Sequence, residues 1–180
     1  MSTDRELAAR FADGEEAAFR TLYRDHSPAL FAFIRRILGR RSEQAEDVLQ
    51  DVWMRAVRDL GRFAWQSAFR TWLFGIALNR CREVIRLTTR IQAEDVELDT
   101  DFAAEPAFRP GERVDLERAL AALSLRYREV LVLHDIHQYT HEEIGGLLGI
   151  DAGTSKSNLA RGRRAMRALM TRTGANQEQR

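Results

Sequence analysis

At 180 residues, 44% of them hydrophobic and 31% charged, the chain has the composition of a folded globular protein with one domain or two small ones, not of a disordered tail. No apolar run approaches the roughly 18 residues of a membrane span, and the opening MSTDRELAARF lacks the hydrophobic segment of a signal peptide, so a cytoplasmic protein without membrane insertion of its own is expected. A lone Cys81 permits no internal disulfide and no cysteine-based zinc site, while a net charge of only +1 hides acids crowded between Glu94 and Glu117 and an acid-free basic run from Lys156 to Arg172.

Thr3 with Glu6 makes a capping-box pattern for a short first helix that Asp13-Gly14 ends. A second helix follows from Glu15 through Ala18, Phe19, Leu22 and Tyr23, and Ser27-Pro28 predicts the start of a third, closed by Gly39. The next helix, Ser42 to Leu60, carries an apolar stripe at Ala45, Val48, Leu49, Val52, Trp53, Ala56, Val57 and Leu60, with Ser42 as its expected N-cap. Its opposite face sets Asp47, Gln50, Asp51 and Met54 in one row, with Arg55 and Arg58 beyond. On an isolated helix such a row is ordinarily a solvated face.

After Gly61 the short loop RFAWQ places Phe63 and Trp65 where turns usually carry polar residues. Ser67 is expected to cap a long helix with an apolar face through Phe69, Trp72, Leu73, Ile76, Ala77, Cys81, Val84 and Ile85, and with Arg70, Asn79, Arg82 and Arg86 on its other side. Aromatic rings beside arginines suit single-stranded nucleic acid, since bases stack on rings and guanidinium groups hold phosphates; packing into the core is the alternative, preferred for Phe69 and open for Phe63 and Trp65.

Periodicity fails over residues 91–111, where acids dominate and Pro106 and Pro110 intervene, as in a flexible acidic linker. Helices resume near Glu112 and again after Ser124. Thr140 with Glu143 then caps a short helix that Gly149 closes, and a longer basic helix begins near Asp151: a helix-turn-helix. Lys156, Ser157, Ala160 and Arg161 share its outward face, where base edges are read in a major groove, and Arg163, Arg164 and Arg167 suit phosphates; a structural hairpin with a solvated basic face is the alternative. The fold expected is all-α, with two small helical domains over residues 1–90 and 112–172 and a disordered tail over 173–180.

Taken together, AEDVLQDVWMRAV, SAFRTWLFGIALNRCREVIR and ALAALSLRYREVLVLHDIHQYTHEEIGGLLGIDAGTSKSNLARGRRAMRAL resemble, in order, regions 2.2, 2.3 with 2.4, and 4 of the extracytoplasmic-function group of bacterial sigma factors. The resemblance implies an alternative sigma factor that binds core RNA polymerase through its beta-prime and beta subunits, recognises promoter DNA and melts it, with no cofactor, metal or catalytic residue of its own. It assigns polymerase docking to Asp47, Gln50, Asp51 and Met54. The flipped base and strand of the minus-ten element fall to Phe63, Trp65, Ser67, Asn79, Arg82 and Arg86, and the minus-thirty-five element to Lys156, Ser157, Ala160, Arg161 and Arg164. It also implies a cognate anti-sigma factor clamped by both domains.

The chain departs from the family pattern at four positions. Ser155 stands where valine is usual, forgoing about 1–2 kcal/mol of apolar burial, and Asn158 stands where arginine is usual, which implies an altered minus-thirty-five contact. Gly145 stands for the usual alanine at roughly 1 kcal/mol of helix propensity, and Asp151, where proline is common, is expected to cap the second helix. Two rival readings exist. One is a helix-turn-helix regulator that never meets polymerase, for which the acidic row has no use. The other is a metal site at His134, His137 and His141, which requires one helix to continue through Gln138-Tyr139-Thr140.

Overall fold

The computed structural model describes residues 3–93 and 116–174, and the described residues form helices and turns without strands. They fall into two compact units. The first is built on α1 (Asp4–Ala12), α2 (Glu16–Leu38), α3 (Ala45–Asp59) and α4 (Phe69–Ala93). The second holds α5 (Leu116–Ala122), α6 (Leu125–Leu131), α7 (His141–Leu148) and α8 (Ala152–Gly174). Most of the predicted acidic linker and the end of the predicted tail lie outside the described residues. No described helix is long and apolar enough to cross a membrane.

In the first unit, the helical periodicity of the sequence becomes a shared core. Leu22, Leu30, Phe33 and Ile34 of α2, Val48, Val52 and Ala56 of α3, and Leu73, Phe74, Leu78 and Cys81 of α4 are all buried. The rings of Phe33 and Phe74 lie 4.5 Å apart. At about 1.5–3 kcal/mol for each large side chain, this burial is the main force that closes the bundle. The capping box on α1 forms as expected, with Thr3 N–H donating to Glu6 at 2.9 Å, and Gly14 and Gly39 take the positive φ angles, 92° and 59°, that let the chain turn after α1 and α2.

Two expected boundaries are absent. Ser27-Pro28 starts no new helix, because α2 runs through it with Pro28 inside. Proline there removes the hydrogen bond to the Arg24 carbonyl, and both residues are exposed, so water can satisfy that oxygen. Ser27 instead turns inward, and its buried hydroxyl accepts a 3.0 Å bond from the Trp53 indole of α3. Ser42 caps nothing: it lies in the 3-10 turn Gly39–Gln44, and α3 starts at Ala45 without a side-chain cap. The apolar stripe of α3 also ends at Ala56, since Val57 is exposed.

In the second unit, α8 packs along α6 and α7. Buried Arg128 donates to the carbonyls of Leu120, Ala121 and Leu123 at 3.0, 2.8 and 2.8 Å, satisfying oxygens that the end of α5 leaves without helical partners. The capping box at Thr140 and Glu143 forms, Gly149 takes φ 71°, and Asp151 accepts from Thr154 N–H at 2.8 Å to cap α8. Gly145 is no mere loss of propensity, because a Cβ there would stand 2.7 Å from the Ile150 carbonyl oxygen. The turn between α7 and α8 therefore closes more tightly than an alanine allows.

The segment after α6 widens into a single π turn, Val132–Ile136, and Gln138 breaks the helix with φ 62°. This break lets the His134 and His141 rings stack at 4.7 Å. Ser155 is fully buried, yet it is no empty substitute for valine: its hydroxyl shares a 2.9 Å hydrogen bond with His141 Nδ1. Burial, then the neighbouring charges of His134 and Lys156, press the His141 pKa below its ordinary value against the opposing pull of Glu142.

Ser27→Ala strands the buried indole N–H, so it should cost about 1–3 kcal/mol. All the tryptophans, Trp53, Trp65 and Trp72, lie in the first unit, so their fluorescence during urea unfolding reports that unit; an unchanged midpoint would contradict the expectation. For His141 the folded state binds fewer protons than the unfolded state, so the contribution is intact above the ordinary histidine pKa and is lost as pH falls below about 6.5. The protection factors of amides in α7 and α8, taken as the intrinsic exchange rate at each pH over the observed one, should fall between about pH 7 and pH 5, and His141→Gln should flatten that slope. An identical slope in the variant would remove His141 as its source.

Candidate polymerase and nucleic-acid interfaces

The two faces of α3 diverge because one is packed and the other is not. Asp47, Gln50 and Met54 are exposed, Met54 to 70%. Asp51 is only half-exposed, and its carboxylate accepts from Arg80 Nε of α4 at 2.7 Å. Arg80 also donates to Glu83 at 3.1 Å, and Arg55 of α3 grips the same Glu83 carboxylate with bonds of 3.0 and 3.4 Å. Hydrogen bonding from Arg55, and then from Arg80, overcomes the effect of burial and holds the Glu83 carboxyl below its ordinary pKa. The expected acidic row is thus three exposed side chains beside one ion-paired carboxylate. A carboxylate has about four acceptor positions, so Asp51 can engage a further donor without releasing Arg80. Arg80 and Glu83 escaped the sequence reading, since nothing in helical spacing says which charges pair between helices.

The loop aromatics are neither wholly exposed nor core. Phe63 and Trp65 are half-buried with ring centroids 4.7 Å apart, and Phe63 stacks on Trp72 of α4 at 4.6 Å with planes only 13° apart. Phe69 is buried beneath them as a core residue. Trp65 has φ 57°, a left-handed conformation that costs a non-glycine residue about 1–3 kcal/mol and that persists where surrounding contacts enforce it. Ser67 is exposed and sits two residues before α4, its hydroxyl directed to the Ala68 carbonyl. On α4, Trp72, Asn79 and Arg86 recur every two turns and share one face; Asn79 and Arg86 are exposed and Arg82 is half-buried. The structure therefore unites Phe63, Trp65 and Trp72 in one cluster, with Asn79 and Arg86 further along the face that carries Trp72.

On α8, Lys156, Ser157, Ala160, Arg161 and Arg164 are all exposed, and Asn158 is half-buried. Arg163, expected to suit a phosphate, is ion-paired within the unit: its guanidinium is held by Asp135 at 3.0 Å, and Asp135 also meets His134 at 2.8 Å. Burial raises the Asp135 pKa, but the hydrogen bonds from Arg163 and His134 outweigh it and keep the carboxyl below its ordinary range. Among the described residues no three potential metal-ligating side chains converge. His134 and His141 stack across the break at Gln138, so the three histidines are not arrayed on one continuous helix.

Comparison with known proteins fits this geometry. The chain matches Sigma-70 region 2 over residues 22–91 and Sigma-70, region 4 over residues 113–166. It is 34% identical to the RNA polymerase sigma factor CarQ of Myxococcus xanthus over 89% of this chain and 94% of that protein. It is 31% identical to the ECF RNA polymerase sigma factor SigM of Mycobacterium tuberculosis over 97% of this chain and 89% of that one. Two solved structures are similar, each at 28% identity. The sigma factor RpoE in complex with the anti-sigma factor NepR, from Bartonella quintana, gives a TM-score of 0.69 over 85% of this chain and 96% of that one. CnrH in complex with the cytosolic domain of CnrY gives 0.67 over 94% and 98%. With both sigma regions present in order and relatives aligned over nearly the whole length, the chain belongs to the extracytoplasmic-function sigma factors and is an alternative sigma factor of RNA polymerase.

Proposed function

We propose that residues 1–90 dock this sigma factor on core RNA polymerase and read the minus-ten element, and that residues 112–172 read the minus-thirty-five element. The observation that carries the docking assignment is the outer face of α3, where Asp47, Gln50 and Met54 stand exposed beside the ion-paired Asp51. Such a face suits a basic surface with an apolar contact for the thioether, here the beta-prime subunit, with the beta subunit completing the holoenzyme.

Phe63, Trp65, Ser67, Asn79, Arg82 and Arg86 serve the non-template strand. Extracting a base costs a few kcal/mol of unstacking, which ring stacking at about 1–3 kcal/mol per base, an amide and phosphate contacts can repay. Lys156, Ser157, Ala160 and Arg161 face bases in the major groove and Arg164 holds the backbone. The chemistry of RNA synthesis belongs to polymerase, so these residues bind and deform DNA and none is catalytic; the protein works in the cytoplasm, where polymerase and promoters are. The solved complexes of RpoE with NepR and of CnrH with CnrY support a cognate anti-sigma factor as the third partner.

Binding to sigma-free core polymerase tests the docking face. Asp47→Ala and Gln50→Ala should each weaken it about tenfold, or about 1.4 kcal/mol. Asp51→Ala should weaken it further, because it also leaves Arg80 with only the Glu83 carboxylate, which Arg55 shares, and so adds positive charge toward a basic partner. Folded variants that bind core as tightly as the natural chain would return the row to a solvated face and favour a regulator that acts without polymerase.

A further inference from the structure

An open groove of about 320 Å³ lies in the first unit between α1, the end of α3 and the aromatic loop. Arg5, Ala8 and Phe11 of α1 form one part of its lining, Leu60 follows α3, and Phe63 and Trp65 belong to the loop. Its size is within the range of small-molecule sites. Among the described residues that line it Arg5 alone is charged, and the Arg5 guanidinium lies 6.0 Å from the Trp65 ring centroid, at the outer limit of a cation–π contact. Trp65 is held there in its left-handed conformation. Aromatic walls, small alanines and one unopposed cation match a single unstacked nucleotide: a base against the rings and its phosphate at the guanidinium.

We infer that α1, which precedes the matched region 2 at residues 22–91, completes the single-strand site: this groove takes one extruded nucleotide of DNA, and Arg5 contacts its phosphate while bracing Trp65. The inference rests on the assignment of Phe63 and Asn79 to the minus-ten strand and extends it to a helix that neither the sequence motifs nor the family match had engaged. An apolar side chain of a protein partner would use the same walls but would have no need of the Arg5 charge.

The test measures binding of the full chain to short, fluorescein-labelled randomised single-stranded DNA across a range of salt concentrations, with a matched duplex as control. Arg5→Gln should weaken single-strand binding about five- to tenfold and reduce the slope of log affinity against log salt by about 0.7, the share of one phosphate on a single strand. Arg5→Lys should retain most of both. Arg5 is exposed on the first turn of α1, so these exchanges leave the buried core untouched. If Phe63→Ala and Asn79→Ala weaken binding while Arg5→Gln changes neither affinity nor slope, the minus-ten assignment stands and the inference is overturned. A loss of affinity with an unchanged slope would also overturn the phosphate contact, leaving Arg5 as a brace for Trp65. If Phe63→Ala and Asn79→Ala have no effect, the minus-ten assignment fails and the inference falls with it.

Discussion

The first unit depends on the pairing of α3 with α4. Its driving force is apolar, the burial of Val48, Val52 and Ala56 against a core shared with Leu73, Phe74 and Leu78. The charges Arg55, Glu83, Arg80 and Asp51 then alternate in sign across the outer edge of the pair. Half-exposed ion pairs of this kind contribute only about 0–1 kcal/mol each, far less than the core beneath them. Their consequence is geometric: α3 carries the row proposed for docking and α4 the asparagine and arginines proposed to meet DNA, so fixing one helix against the other fixes the spacing of the two faces. On the proposed assignment, polymerase binding and strand capture rest on neighbouring helices of one small bundle.

The second unit solves a different problem, presenting a basic surface on helices packed over Leu120, Val130, Leu133, Ile144 and Leu159. Capping does much of the work: Thr140 with Glu143, Asp151 with Thr154, and Arg128 on the end of α5 satisfy helix-terminal groups that would otherwise need water. The tight approach of Gly145 to the Ile150 carbonyl sets the angle between the two helices of the motif. Behind the exposed face of α8, Ser155 ties that helix to His141, and Arg163 ties it to Asp135. Two side chains that look like DNA-facing or core positions in sequence thus serve to hold α8 in place.

The legible parts of the fold were those governed by local chemistry. Helical period, capping boxes at Thr3 and Thr140, and glycines at 14, 39 and 149 can each be recognised from a few adjacent residues, and all took their expected form. Ser27-Pro28 misled for the opposite reason. Whether a proline breaks a helix depends on what surrounds it, and the exposed position of Pro28 together with the inward bond of Ser27 to Trp53 is information that only packing supplies. Ser42 failed as a cap because the turn after Gly39 continues past it. Within the candidate site, the row on α3 and the aromatics of the loop were visible as anomalies. The contacts of Asp51 with Arg80, of Phe63 with Trp72 and of Trp65 with Arg5 were not, since each joins separate elements and no spacing rule reaches across them.

The measurement that bears most directly on the whole account is initiation itself. The purified chain, added to sigma-free core polymerase on genomic DNA from its own cell, should yield transcripts with discrete 5′ ends that are absent with core alone, upstream of which a shared pair of promoter elements can be aligned. Transcripts with the same scattered ends whether or not the chain is present, from a chain shown to be folded and free of any inhibitor, would contradict the assignment of its two helical units to polymerase docking and promoter recognition.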